Sequence, residues 1–193
     1  YFLKDKNYTD NCEFNGIEYN ISKYECIIKP ELHNLVDKVI QKKNITELYK
    51  GRCFGIETND KRLKNEGNIK CYVSKIKSKS RIKFLEQYEF NETNKFWKVI
   101  TPRAAHGAFS GFGELFIGNP DEVHTGSYIS FKVENEFQAK SLKSYLETDI
   151  VNKLLSIRKI SQDISKNTCK WIPLVPLNRI WDNKKVLGYL QIS

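Results

Sequence analysis

A chain of 193 residues, 40% hydrophobic and 12% aromatic, carries enough apolar material for one packed domain and is too hydrophobic for wholesale disorder. Thirty-two Lys and Arg against 23 Asp and Glu leave a formal charge of +9, which favours a polyanionic partner. No run approaches the roughly 20 apolar residues of a membrane span, and Tyr1-Phe2-Leu3-Lys4-Asp5-Lys6 lacks the regions of a signal peptide. The expectation is a cytoplasmic chain with no membrane partner. It contains no methionine, which suggests a fragment of a longer polypeptide.

Residues 1–29 form an Asn-, Tyr- and Lys-rich lead-in, and Pro30 opens a stretch whose Leu32, Leu35, Val36, Val39 and Ile40 share one helical face. After Gly51 the pattern changes to short β-like runs at 52–58, 69–76, 96–101, 115–118 and 126–133, separated by Asn, Gly, Asp and Lys clusters. Helical spacing returns at Glu136. Phe137, Ala139, Leu142, Tyr145 and Leu146 predict one face, and Ile150, Val151, Leu154, Leu155 and Ile157 a second. Pro173 and Pro176 then require Trp171–Pro176 to be an extended apolar segment laid over the core. The expected fold is α+β, a small mixed or antiparallel sheet flanked by helices, in one domain spanning residues 1–193.

No self-contained active site is legible. The five cysteines show no C-x-x-C pair, which argues against zinc and for Cys53 and Cys71 as small hydrophobes. No serine occupies a nucleophile elbow. Phe109-Ser110-Gly111-Phe112-Gly113 superficially resembles the cofactor loop of S-adenosylmethionine-dependent methyltransferases, and Asn119-Pro120-Asp121 resembles their catalytic turn. The first leads into the strand-like Glu114–Ile117, where a cofactor loop must open a helix. The second lacks a second proline and its aromatic. Hence no catalytic, cofactor-binding or metal residue is assigned.

Two stretches suit nucleic acid. Arg103–Gly113 is a small-residue loop carrying Arg103 and His106, able to approach a backbone or groove closely. Ser156–Lys170 reads as a basic helix with Ile157, Ile160 and Ile164 inward and Arg158, Lys159, Gln162, Asp163 and Lys166 outward. The expected phosphate contacts are Arg103, Arg158, Lys159 and Lys166. Expected base-edge readers are Gln162, Asp163, His106 and Asn59, with Arg52 as a further guanidinium for phosphate or guanine.

Three stretches occur in a telling order: Arg52–Asn59 (RCFGIETN), Trp97–Gly107 (WKVITPRAAHG), and Ser144–Thr148 (SYLET) through Leu154–Ser165 to Trp171–Leu174 (WIPL), followed by Trp181-Asp182. Together they resemble the C-terminal target-recognition region of EcoRI-type adenine-specific DNA methyltransferases of restriction-modification systems, over about residues 30–190. Arg52-Cys53 stands where that family often places Asn-Pro. The resemblance implies a target-recognition-domain-like fold that reads double-stranded DNA. It also implies an upstream methyltransferase domain in the same polypeptide, a methyltransferase or a fused restriction-modification enzyme, that binds S-adenosylmethionine, flips the adenine and methylates it. The competing reading is a stand-alone basic domain, RNA-binding or structural, with no link to methylation.

Overall fold

The apolar runs between polar clusters become strands, and the stretches with helical spacing become helices. The computed structural model describes residues 11–14, 16–74, 81–104 and 111–192. In chain order they form β1 (Cys12–Phe14), β2 (Ile17–Tyr19), α1 (Ile21–Tyr24), a 3-10 turn (Pro30–Leu32), α2 (His33–Asp37), a second 3-10 turn (Ile45–Glu47), β3 (Tyr49–Gly51), β4 (Ile69–Tyr72) and β5 (Ile82–Leu85). There follow β6 (Trp97–Pro102), β7 (Phe116–Gly118), β8 (Val123–His124), β9 (Tyr128–Val133), α3 (Glu136–Leu146), α4 (Asp149–Arg158) and α5 (Asn183–Leu190). The fold is α+β, as expected. Its central sheet has the order β3-β9-β6-β7, a smaller sheet the order β5-β4-β8, and β1 and β2 form a hairpin.

The central sheet is antiparallel, with β9 paired to β6 over Trp97↔Val133 through Pro102↔Tyr128, and to β3 at Tyr49↔Phe131 and Gly51↔Ser130. Thus β3 and β6 run the same way. Both finish at the end where β9 begins. Gly51, at φ 59, supplies the left-handed residue that turns the chain out of β3 there.

Val99, Phe131 and Val133 from the sheet meet Ala139, Leu142, Tyr145 and Leu146 of α3 and Val151, Leu154 and Leu155 of α4 in the main core. Each large side chain buried there is worth roughly 1.5–3 kcal/mol. Asn135 caps α3 by accepting from the Gln138 amide at 2.9 Å, and the Gln138 side chain accepts from the Glu134 amide at 3.1 Å. The segment after Lys170 lies over this core as its prolines require. Trp171, Ile172, Pro173 and Val175 are buried, Ile45 N donates to Ile172 O at 3.0 Å, and Tyr145 Oη donates to Pro173 O at 2.8 Å. The end of the lead-in joins it too, through buried Tyr24 and Ile28. A second cluster of Phe54, Ile56, Cys71, Val73, Leu85 and Val123 fills the small sheet. Burial there pushes the Cys71 thiol up to about 12, so it packs as a hydrophobe.

Four expectations are corrected. The helix from Pro30 is shorter, a 3-10 turn plus α2, although Leu35, Val36 and Val39 are buried. Phe137 is 51% exposed, off the buried face of α3. Residues 52–58 form no strand, and their one β-bridge is the isolated pair Ile56↔Thr125. The expected basic helix over 156–170 ends at Arg158.

Candidate nucleic-acid interface

The helix stops because its continuation, Lys159-Ile160-Ser161-Gln162-Asp163-Ile164-Ser165-Lys166-Asn167-Thr168, offers the backbone other partners. Asp163 N donates to Ser161 Oγ, Ser165 N to Thr168 Oγ1 and Thr168 N to Ser165 Oγ, the competition by short polar side chains that breaks helices. Ile164 still faces the core, whereas Ile160 is 96% exposed, so the expected inward placement of Ile160 is wrong.

Arg158 is corrected as well. Its side chain is 6% exposed. Nη2 donates to Glu25 Oε2 at 3.0 Å and to Asn167 Oδ1 at 3.1 Å, Nε donates to Asn167 O at 3.1 Å, and the guanidinium lies 4.6 Å from the centre of the Trp171 ring. Glu25 also pairs with Lys170 at 2.6 Å, and these two cations hold its carboxyl below the usual range. An arginine so enclosed joins the lead-in to α4, and its remaining nitrogen, Nη1, is buried without a partner, out of reach of a phosphate.

Other candidates converge. Arg52 follows β3 and Arg103 follows β6, so both stand where those strands finish. Arg103 N donates to Ser127 O at 2.8 Å, and Ile164 N donates to Arg103 O at 2.7 Å, with an isolated bridge Ala104↔Asp163. That docks the loop after α4 onto the sheet end. Arg103 Nη1 lies 3.6 Å from Asp163 Oδ2 across a half-exposed gap, so Asp163 is an ion-pair partner as well as a candidate reader. Burial pushes the Tyr49 phenol up with help from Cys169, while Arg103 and Arg52 oppose the rise. Burial lowers Lys159 and Asp163 counters it, which places that lysine in the same field.

The loop at 52–59 completes this end. Gly126 N donates to Ile56 O at 2.7 Å, and the Thr58 and Ser127 hydroxyls are 2.5 Å apart, leaving Asn59 exposed beside them. Gln162 and Lys166 are exposed on the loop after α4. His106 lies outside the described residues. Of the nine candidates, then, Arg52, Asn59, Arg103 and Asp163 are gathered at one sheet end with Lys159 and Gln162 on the docked loop, and Arg158 is withdrawn from it. Sequence reasoning did not single out His124, which is buried at this end. Burial holds His124 down at about 4.

Gly111-Phe112-Gly113 does not fit a cofactor loop. Phe112 is buried with its amide donated to Asn152 Oδ1 at 2.7 Å, and a Cβ on Gly111 would collide with the Asn152 side chain. That approach is glycine packing on α4, and the Phe112 amide is already taken by Asn152. The groove beside it, about 630 Å³, carries the carboxylates of Glu114, Glu147 and Asp149 against the one cation Lys143, a poor match for a nucleic-acid backbone. Among the described residues no helix is long and apolar enough to cross a membrane, and no three His, Cys, Asp or Glu side chains gather as metal ligands. Comparison with protein-family models and with curated proteins finds no match to this chain.

Proposed function

We propose that this chain is a duplex-DNA-binding module, and that it serves as the target-recognition part of an adenine-specific, S-adenosylmethionine-dependent DNA methyltransferase whose catalytic domain is another part of the polypeptide. The observation that carries the reading is the convergence at one sheet end. Arg52, Arg103 and Lys159 supply positive charge there, and Asn59, Gln162 and Asp163 supply groups suited to base edges. Phosphate contacts fix register while amide and carboxylate side chains discriminate bases, so one surface holding both suits sequence reading. The methyl-transfer assignment is supported by the ordered sequence resemblance. Within this chain the residues bind and orient DNA, and the methyl donor belongs to the catalytic domain.

Duplex affinity measured against salt tests the reading. Arg52→Ala and Arg103→Ala should each flatten the plot of log affinity against log salt by about 0.9, one phosphate contact apiece, while Arg158→Ala leaves the slope unchanged. Equal affinity for single-stranded RNA, or no duplex binding at low salt, overturns it. For the methyl-transfer assignment, Gln162→Ala in the longer polypeptide should broaden the set of methylated sites. Absence of any adenine methylation by that polypeptide would remove the assignment.

A further inference from the structure

One side chain on the loop after α4 stands out against the rule that large apolar groups are covered. Among the described residues the other exposed large hydrophobics are 44% to 57% exposed, whereas Ile160 is 96% exposed. A single aliphatic side chain in water is ordinary on a protein surface, so its position decides what it means. The backbone holds it out. Lys159, at φ −85 and ψ 80, closes α4 in an inverse γ-turn, with Ile160 N donating to Arg158 O at 3.1 Å. Four residues on, the chain is fixed again: Ile164 is buried, its amide donates to Arg103 O at 2.7 Å, and Asp163 bridges Ala104. Ile160, Ser161 and Gln162, all exposed, therefore form a short tip between two anchors.

The surroundings of the tip are cationic. Lys159 immediately precedes it, Lys166 is exposed further along the same loop, and Arg103 lies across from Asp163 at 3.6 Å. Three cations against one carboxylate suit a polyanion, and an apolar group set among them suits a polyanion that also displays apolar surface. Duplex DNA does so in its major groove, where each thymine presents a 5-methyl group between the two rows of phosphates. Isoleucine, branched at Cβ, has few rotamers to lose when it is covered. Two residues on, Gln162 carries the amide that pairs with adenine N6 and N7, so the tip holds one group for each partner of an A·T pair.

We propose that Ile160 is a specificity-determining contact for thymine, its side chain packing on the 5-methyl group in the major groove of duplex DNA. The contact rests on the duplex-binding reading of this sheet end, and it adds to that reading an apolar term that charge and hydrogen bonding do not supply. Cytosine lacks the methyl group and adenine and guanine present polar edges there, so covering Ile160 against any of them removes less apolar surface from water.

The test begins with selection by the whole chain from a pool of DNA duplexes randomised at their centre. The enriched duplex is then remade with deoxyuridine replacing each thymine in turn, an exchange that removes only the methyl group. At one thymine the exchange should weaken wild-type binding about fourfold, the equivalent of about 0.8 kcal/mol for one buried carbon group. Ile160→Ala should weaken binding to the thymine duplex by at least that factor and then lose nothing further on exchange, so that the two changes are not additive. Phe137→Ala, which removes a half-exposed ring from α3, should bind as wild type does. Duplex binding that enriches no sequence overturns the contact, as does equal binding of uracil at every position or a uracil penalty that persists in Ile160→Ala. Loss of affinity in Ile160→Ala without sensitivity to uracil also overturns it, and assigns the side chain to insertion between base pairs. In each of these cases duplex binding itself stands. Absence of duplex binding at low salt instead removes the interface reading and the contact with it, so the two failures are told apart on the same samples.

Discussion

Two charged corners of this protein are built to opposite rules. At the end of α4, Arg158 is drawn inward onto Trp171, its Nε and Nη2 taken by Asn167 and Glu25. Where β3 and β6 finish, Arg103 is loosely paired to Asp163 at 3.6 Å and Arg52 has no ion pair among the described residues. Both corners read as basic surface in the sequence. The difference is whether distant segments deliver partners: Glu25 lies 133 residues from Arg158 in the chain. An arginine already enclosed holds the fold together, and one left loosely paired is available to a ligand.

The largest expected effect sharpens the second corner. His124 is held at about 4 against an ordinary 6.5, so the unfolded chain takes up this proton first as the pH falls. Stability present above about pH 6.5 is therefore lost progressively down to pH 4, by on the order of 3 kcal/mol. Lys98, buried with Nζ 2.6 Å from Asn119 O and 2.7 Å from Glu122 O, is lowered to about 8 mainly by burial. It obeys the same sign in a higher window, with stability rising from pH 8 to 10.5. Urea titrations at stepped pH read both, and His124→Gln should flatten only the acid window. A wild-type midpoint constant between pH 6.5 and 4 would contradict the neutral buried imidazole.

Next comes Arg158→Ala. It strips a half-exposed Glu25 of one cation and uncovers Trp171, and it should cost about 2 kcal/mol, seen as a lower denaturant midpoint. Arg158→Lys should recover little, because an ammonium cannot serve Asn167 and Glu25 while lying flat on the indole.

Why one corner was legible and the other was not follows from where the information lies. Helices α3 and α4 were readable since Ala139, Leu142, Tyr145 and Leu146, then Ile150, Val151, Leu154 and Leu155, repeat within a single turn-by-turn pattern. The extended cover over the core was readable from Pro173 and Pro176. Strands β3, β5 and β8 run to only 3, 4 and 2 residues, too short for a period, and β8 exists through its pairing with β4, some fifty residues earlier. The loop after α4 misled because Ile157, Ile160 and Ile164 keep helical spacing although Ser161, Ser165 and Thr168 take the backbone hydrogen bonds. His124 carried no signal in its neighbours; its burial depends on Phe54, which the bridge between Ile56 and Thr125 helps to hold against it.

The smallest effect isolates the comparison most cleanly. Arg103→Ala removes an ion pair 3.6 Å long whose partners are 39% and 48% exposed, a geometry in which solvent screening leaves at most about 0.5 kcal/mol. Its denaturant midpoint should thus stay near wild type while its salt slope on duplex DNA falls. Arg158→Ala should do the reverse. Asp163→Asn completes the set, since it frees Arg103 without removing it: duplex affinity should rise at low salt, with stability again nearly unchanged. Should Arg103→Ala instead destabilise the chain as much as Arg158→Ala and leave DNA affinity intact, the two corners would be equivalent, both structural. The sheet end would then lose its claim to be the face that meets a polyanion.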